Sequence, residues 1–548
     1  MKESVSCVLQ CLSFLAMSLV LSLSLTACSD DESNDDHGGK HIAEYTIMIY
    51  GCGGTTLDAS TIYNLFYPLM AGGCNDDVNI TFLFKCSAEY QTSEIKAKGM
   101  KFEGARRWAA PKEGVFKWDS TLVADPESVF EYDKWIIDAT AYLEPYSEKI
   151  GGVDFKLSDP KNLTDFINWN VEKYPAKKYI LLMKDHGSGW DFYDDRGIPS
   201  SRAQIFDDVF DCESSDYGVS IFNAVEGIRS SKIHKVDAII SDECLMATME
   251  VLNEYAAVTD LNMAAQENTR SQFGNHILDA FKKGAKNGQP LKDILRYCVD
   301  RYVEAYDKGY MSDQGVYDLT KISSLNAPVR SVAEFFVDKE NEGDTDWESI
   351  KLEAICNTLC ANSLRDYLYL YLNTQEMMER WTELSEDERS EALGNIAMIN
   401  ESHSGFCLYD FMSNVVAIAQ AYKEASNPAG FANDLETFKG YLKEYDRALR
   451  DMSYINCTSK KSDDEPYQYT SPSVILQSLK EGVYGPVSAQ NIYGYSNADK
   501  ISREDALALY KRLTFDKETN WSALLVGLQK SATPFEGGDR MLRFGTDY

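Results

Sequence analysis

The chain has 548 residues, enough for two to four domains and a large core. Lys and Arg total 54 against 86 Asp and Glu, a net charge of −32, which excludes a phosphate-neutralising nucleic-acid binder. An apolar fraction of 44%, 12% of residues aromatic, excludes a wholly disordered chain, and six histidines without an HExxH pattern argue against a zinc hydrolase of that kind.

In chain order, residues 1–27 read as a secretory signal. Met1-Lys2 opens a weakly basic start, Val8 to Leu25 is apolar, and Leu25-Thr26-Ala27-Cys28 precedes an abrupt polar run. The span has small residues before the break and polar ones after, unlike a membrane-spanning helix. Leu25-Thr26-Ala27-Cys28 resembles a bacterial lipobox, which implies lipidation of Cys28 as the first mature residue. The acidic stretch after it resembles the surface-export signal of lipoproteins in the Bacteroidota. The expected location is therefore the bacterial outer membrane, on its outer surface, with the lipid on Cys28 as the membrane contact. Residues 28–43 form a polar, Gly-rich tether. Ten of the thirteen cysteines follow Cys28, at spacings that show no disulfide framework.

Tyr45 to Tyr50 is a strand-length apolar run ended by Gly51-Cys52-Gly53-Gly54. That loop lacks the Lys-Ser/Thr of a P-loop and reads as a strand-to-helix turn. Val78 to Phe84 is a second buried strand. Asp159-Pro160 starts a helix, Asp as cap and Pro in the first turn, with Leu163, Phe166, Ile167, Val171 and Tyr174 on one face. Tyr179 to Met183 is continuously apolar, as in a strand covered on both faces, and runs into Lys184-Asp185-His186-Gly187-Ser188-Gly189-Trp190. A helix is expected near 217–230, a strand over Val236–Ile240 ending in Ser241-Asp242-Glu243-Cys244, then a helix carrying Met246, Met249 and Leu252. Strand, helix, strand, helix implies a parallel α/β sheet with right-handed crossovers. The acidic run 338–348 marks a domain boundary. Beyond it, 367–372 alternates like a strand, and helices are expected at 375–400, 409–424 and 432–450. The expected division is peptidase-like residues 44–337 followed by a mainly helical accessory region, 338–548.

In a parallel sheet reactive groups gather at the carboxyl ends of strands. His186 and Cys244 both stand at such ends. A thiol attacks as thiolate; an imidazole can take its proton and return it to a leaving amine. Gly187 can turn its backbone N–H toward a reacting carbonyl and, with the amide of Cys244 at the start of a helix, form an oxyanion hole. An isolated cysteine after an apolar strand is ordinarily just buried, and a lone loop histidine ordinarily packs; the pairing of two blocks, one ending in His-Gly and one in Cys, raises the catalytic reading.

This double pattern resembles the caspase-like superfamily of cysteine peptidases. Asp185 to Trp190 and Asp242-Glu243-Cys244-Leu245-Met246 resemble, more narrowly, the clostripain family. The likeness extends to Asp159–Trp169, to the first strand and to Gly315–Lys321, covering residues 44–325. It implies a caspase-like, mostly parallel sheet flanked by helices and an endopeptidase acting on polypeptides after Arg or Lys. His186 would be the base and acid, Cys244 the nucleophile, and Asp242 the carboxylate that meets the basic side chain, its alternative being a helix cap. It also implies self-processing between the two strands, in 191–206, with a cut at Arg202-Ala203 preferred over Arg196-Gly197. Glu243 stands where a small residue is common, and 264–275 follows the family pattern loosely. No cofactor is expected; some family members need calcium, but the acidic residues here, Asp207 and Asp208 included, form no EF-hand pattern. The rival readings are a surface-exposed binding lipoprotein with a peptidase-like fold and no turnover, and a carbohydrate-active enzyme with paired carboxylates. The sequence leaves the oligomeric state and natural substrate open.

Overall fold

The computed structural model describes residues 42–53, 57–86, 104–117, 143–187, 189–190, 204–206, 210, 216, 218–266, 269, 274–305, 313–351, 353–355, 358, 405–426, 428–457, 472–475, 508 and 510–524. Cys28, the loop cuts at Arg196 and Arg202-Ala203, Asp207 and Asp208, the strand expected over 367–372 and the helix expected over 375–400 lie outside these residues.

The strands in chain order are β1 (Ala43–Gly53), β2 (Val78–Cys86), β3 (Gly104–Ala109), β4 (Glu148–Lys149), β5 (Ala176–Lys184), β6 (Gln204–Phe206), β7 (Gly218–Val219), β8 (Val236–Asp242), β9 (Thr259–Ala264), β10 (Asp313–Asp318), β11 (Gly405–Cys407), β12 (Ser453–Cys457) and β13 (Ser473–Ile475). Nine of them form one sheet in the order β12-β10-β9-β8-β5-β1-β2-β3-β4. The five central strands, β9 to β2, run parallel, and both edges are antiparallel. This is the caspase-like α/β architecture expected, with mixed edges.

Alternate residues of the central strands feed two separate cores, as a sheet covered on both faces requires. Ile47, Ile49, Ile180, Leu182, Ala238 and Ile240 face a helical stretch over 58–72 with α4 (Gly274–Asn287) and α5 (Leu291–Ala305). Met48, Tyr50, Leu181, Met183 and Ile239 face α1 (Pro160–Lys173), α2 (Ile221–Arg229), α3 (Met249–Tyr255) and α6 (Ile322–Glu342). The start of α1 is set locally. Asp159 accepts a hydrogen bond from the Lys161 amide, Pro160 occupies the first turn, and Leu163, Phe166 and Ile167 are buried.

The boundary expected at 337/338 falls inside α6. Its acidic tail is a helix end: Gly343 takes the left-handed conformation as cap, and the helix resumes over 345–351. Trp347, fully buried, stacks on Phe431 at 4.9 Å, so the charged residues around it dress the outside of an anchored turn. From there α7 (Leu408–Ser426) and α8 (Phe431–Met452), the two helices expected over 409–424 and 432–450, pack into the same core as α6. α8 leads straight into β12, which pairs with β10 at the edge of the main sheet. The described part of the chain beyond 338 is thus built into the sheet and its core. β11 and β13 form a separate antiparallel pair.

Candidate active site at the ends of β5 and β8

β5 and β8 are adjacent and parallel, with Lys184 opposite Asp242 in register. His186 and Cys244 follow these partners by two residues each, at the carboxyl edge of the sheet, on strands spaced about 4.8 Å apart. The step from β5 to His186 is fixed from above by β6. The Ile205 amide donates to the His186 carbonyl at 3.1 Å, and Gly187 bridges Gln204. Ile205 is buried at φ 53°, an uncommon conformation for a β-branched residue. Gln204 in turn accepts a 2.6 Å hydrogen bond from the Tyr255 hydroxyl of α3.

Gly187 lies directly against the turn that carries the cysteine. A Cβ there would stand 2.4 Å from the Cys244 carbonyl oxygen, 2.8 Å from the Glu243 Cβ and 3.1 Å from the Cys244 nitrogen. Only a residue without a side chain permits this approach. Cys244 does not open a helix, contrary to the expectation. Leu245 takes a left-handed φ of 61°, and the Ala247 amide donates to the Ala265 carbonyl at 2.7 Å, holding the chain across to the end of β9. α3 begins only at Met249, capped by the Thr248 hydroxyl. The amide of Cys244 therefore belongs to a tight turn, with no helix dipole behind it.

The thiol meets the backbone of Thr269, whose amide donates to Sγ at 3.3 Å, while Sγ donates to the Thr269 carbonyl at the long distance of 3.9 Å. Cys244 keeps partial exposure as a residue, but dense packing about its sulfur pushes the thiol pKa up. Burial, and then the Lys184 ammonium, lower the pKa of His186. Both shifts favour the uncharged forms, thiol and imidazole.

Asp242 is buried and ion-paired with Lys184, Nζ to Oδ2 3.3 Å. Lys184 was not singled out by the sequence reading. The signal was available, since it shares parity with His186 at the end of a buried run. Glu243 points by strand alternation to the opposite face, toward Asp185 and α3. It is fully buried and neither carboxyl oxygen has a hydrogen-bond partner; the nearby Ile205 amide is committed to His186. Burial, then the proximity of Asp185 and Asp242, raise its pKa well above the usual carboxylate range.

Trp190 is a packing residue here, buried edge-to-face against Tyr510 at 5.3 Å. The Tyr510 hydroxyl donates to Glu250 at 3.1 Å and the Thr514 amide to Glu254 at 2.6 Å. These bonds attach 510–524, including α9 (Thr514–Thr519), to α3. Among the described residues no three His, Cys, Asp or Glu side chains are grouped to hold a metal ion, and no helix is long and apolar enough to cross a membrane.

The sequence profile of the clostripain family matches residues 148–468, from β4 through β12 and across both strand ends. The chain belongs to the clostripain family. It is thereby placed among cysteine peptidases. A secreted cysteine protease from Bacteroides thetaiotaomicron, "iotapain", is 15% identical, over 53% of this chain and 70% of that one, with a TM-score of 0.36. An inactive zymogen protease from Parabacteroides distasonis is 14% identical over 87% of this chain and 98% of its own, with a TM-score of 0.46. No curated protein matches significantly. In this clostripain-family chain the sequence-derived residues His186, Gly187, Asp242 and Cys244 all fall at one edge of the sheet, on two neighbouring strands and the turns that follow them.

Proposed function

We propose that the protein is a cysteine endopeptidase in which Cys244 is the nucleophile, His186 the base and acid, and Asp242 the group that meets an Arg or Lys on the acyl side of the cut. The observation that supports this reading is the register of β5 and β8, whose last pair, Lys184 and Asp242, lies two residues before His186 and Cys244, with Gly187 packed on the Cys244 backbone. His186 takes the thiol proton as sulfur attacks the substrate carbonyl carbon. The amides of Gly187 and Cys244 receive the developing oxyanion. The tetrahedral species then collapses, the C–N bond breaks, and His186 returns its proton to the departing amine. Water, deprotonated by His186, hydrolyses the thioester and regenerates the thiol. Shifts toward the uncharged thiol and imidazole suit this route, since the proton leaves sulfur only when the substrate is in place.

The proposal extends to export with a lipid on Cys28 and to self-processing at Arg202-Ala203, each supported by sequence pattern. The test uses short fluorogenic peptides with Arg, Lys or neutral residues before the cut, with and without a thiol alkylator. Cys244→Ala and His186→Ala should each abolish cleavage, and Cys244→Ala should prevent labelling by a thiol-alkylating peptide. Purified wild type should yield a fragment starting at Ala203, absent from Cys244→Ala. Cleavage that persists in Cys244→Ala would overturn the catalytic assignment.

A further inference from the structure

Lys184 and Asp242 are both buried, in register, and joined at 3.3 Å, one step of strand alternation before His186 and Cys244. On the far side of β5, Gly51 of β1 is in register with Lys184, and a Cβ there would stand 2.2 Å from the Lys184 carbonyl oxygen and 3.0 Å from its Cβ. The glycine lets β1 close against the root of the lysine side chain, and the other end of that side chain meets Asp242. A cation is thus built into the position from which a substrate cation would be recognised.

Resting on the reading of Asp242 as the carboxylate that meets the substrate, we propose that Lys184 is a specificity-determining residue. Its ammonium holds, as an internal counter-ion, the place at Asp242 that a substrate Arg or Lys would take. A buried charge is tolerated only when paired. An incoming cation must either displace Lys184, breaking a buried ion pair, or join it, setting two positive charges against one carboxylate. Oδ2 is already engaged by Lys184, so an arginine fork cannot take both oxygens without competing for it. Either way, part of the gain from a basic side chain is cancelled, and the enzyme discriminates only modestly between basic and uncharged residues.

The measurement is the ratio of kcat/KM for two fluorogenic peptides that differ only in Arg or citrulline, its uncharged near-isostere, before the cut. Wild type should give a ratio under about tenfold. Lys184→Met should raise it at least tenfold, Lys184→Arg should keep the wild-type ratio, and Asp242→Asn should bring it to about one. The double variant Lys184→Met with Asp242→Asn, which leaves no unpaired charge, should also give about one. Lys184→Gln, whose amide can still donate to Asp242, serves the same purpose if the methionine variant does not fold. A wild-type ratio above a hundredfold overturns the inference whatever the variants do. So does an unchanged or lower ratio in folded Lys184→Met or Lys184→Gln whose Cys244 still takes the alkylating peptide. If that failure is confined to the Lys184 variants while Asp242→Asn still lowers the ratio, the role of Asp242 survives. If Asp242→Asn is also without effect, both fall.

Discussion

Replacing Gly187 by alanine tests the close approach of the two strand-end turns. The new Cβ would sit 2.4 Å from the Cys244 oxygen and 2.8 Å from the Glu243 Cβ, both anchored close to the main chain. Ordinary carbon contacts lie at about 3.5–4.0 Å, so the turns must part by roughly an ångström. Overpacking of this kind costs about 1–3 kcal/mol of stability. The catalytic loss should be larger in relative terms. An ångström of misplacement costs about a hundredfold in rate, and removing one oxyanion donor costs about 10²–10³. We therefore expect Gly187→Ala to lower kcat/KM at least a hundredfold on the preferred fluorogenic peptide, while thermal unfolding shifts by only a few degrees. Gly440, inside α8 with nothing within 4 Å of its added Cβ, provides the control. Gly440→Ala should leave kcat/KM unchanged and add about 0.5–1 kcal/mol through helix propensity. A Gly187→Ala protein that keeps kcat/KM within threefold of wild type would refute the packing of Gly187 on the nucleophile's turn.

Four further outcomes follow from the same geometry. The imidazole of His186 is held below its ordinary pKa, so it remains a base in mildly acidic solution, and the acid limb of kcat/KM should fall below pH 6.5; a limb above pH 7 would contradict this. Glu243 has a raised pKa, so its contribution to stability is fully present below the unfolded value, near 4.5, and is lost as pH rises toward the folded one; Glu243→Gln should flatten the fall of urea midpoint across that window, and parallel curves for the two proteins would refute it. Tyr510→Ala should cost about 3–5 kcal/mol and Tyr510→Phe only about 1 kcal/mol in denaturant titrations, because the first empties a buried site beside Trp190 and the second removes one hydrogen bond to Glu250; equal costs would show that the ring contact contributes nothing. Cys28→Ser should lose incorporation of a labelled acyl chain while retaining peptide hydrolysis, and label that persists would refute the lipobox assignment.

The parts of the site legible in the sequence were those carried by mainly apolar runs. Tyr179–Met183 and Val236–Ile240 could only be buried strands, and their polar continuations, His186-Gly187 and Asp242 to Cys244, had to emerge at one edge. Asp159-Pro160 marked a helix start because cap and first turn are decided within three residues. Two strands were missed: Thr259–Ala264 mixes polar with apolar residues and Ser453–Cys457, at the sheet edge, is short, so neither stands out from a loop. Charge misled at 338–348, where one buried tryptophan outweighs its acidic neighbours. The turn after Cys244 was hidden because Met246, Met249 and Leu252 keep helical spacing, while the Ala247–Ala265 hydrogen bond, a tertiary contact, delays the helix. The Lys184–Asp242 pair needed the register of two strands, which no single segment contains.

The bond between Tyr510 and Glu250 joins positions 260 residues apart, and β12 reaches back to β10 across most of α6, α7 and α8. Contacts of such long sequence separation form late, because the closure entropy of the intervening loop must be met before they contribute. The helix that follows the nucleophile therefore waits for a segment 260 residues further along the chain. Until then the sheet has an open edge at β10, and Tyr510 and the Thr514 amide have yet to reach Glu250 and Glu254. A chain of this topology cannot complete its cysteine-bearing half before residues 510–524 join it. Full assembly of the surroundings of Cys244 therefore waits until residues 510–524 are in place.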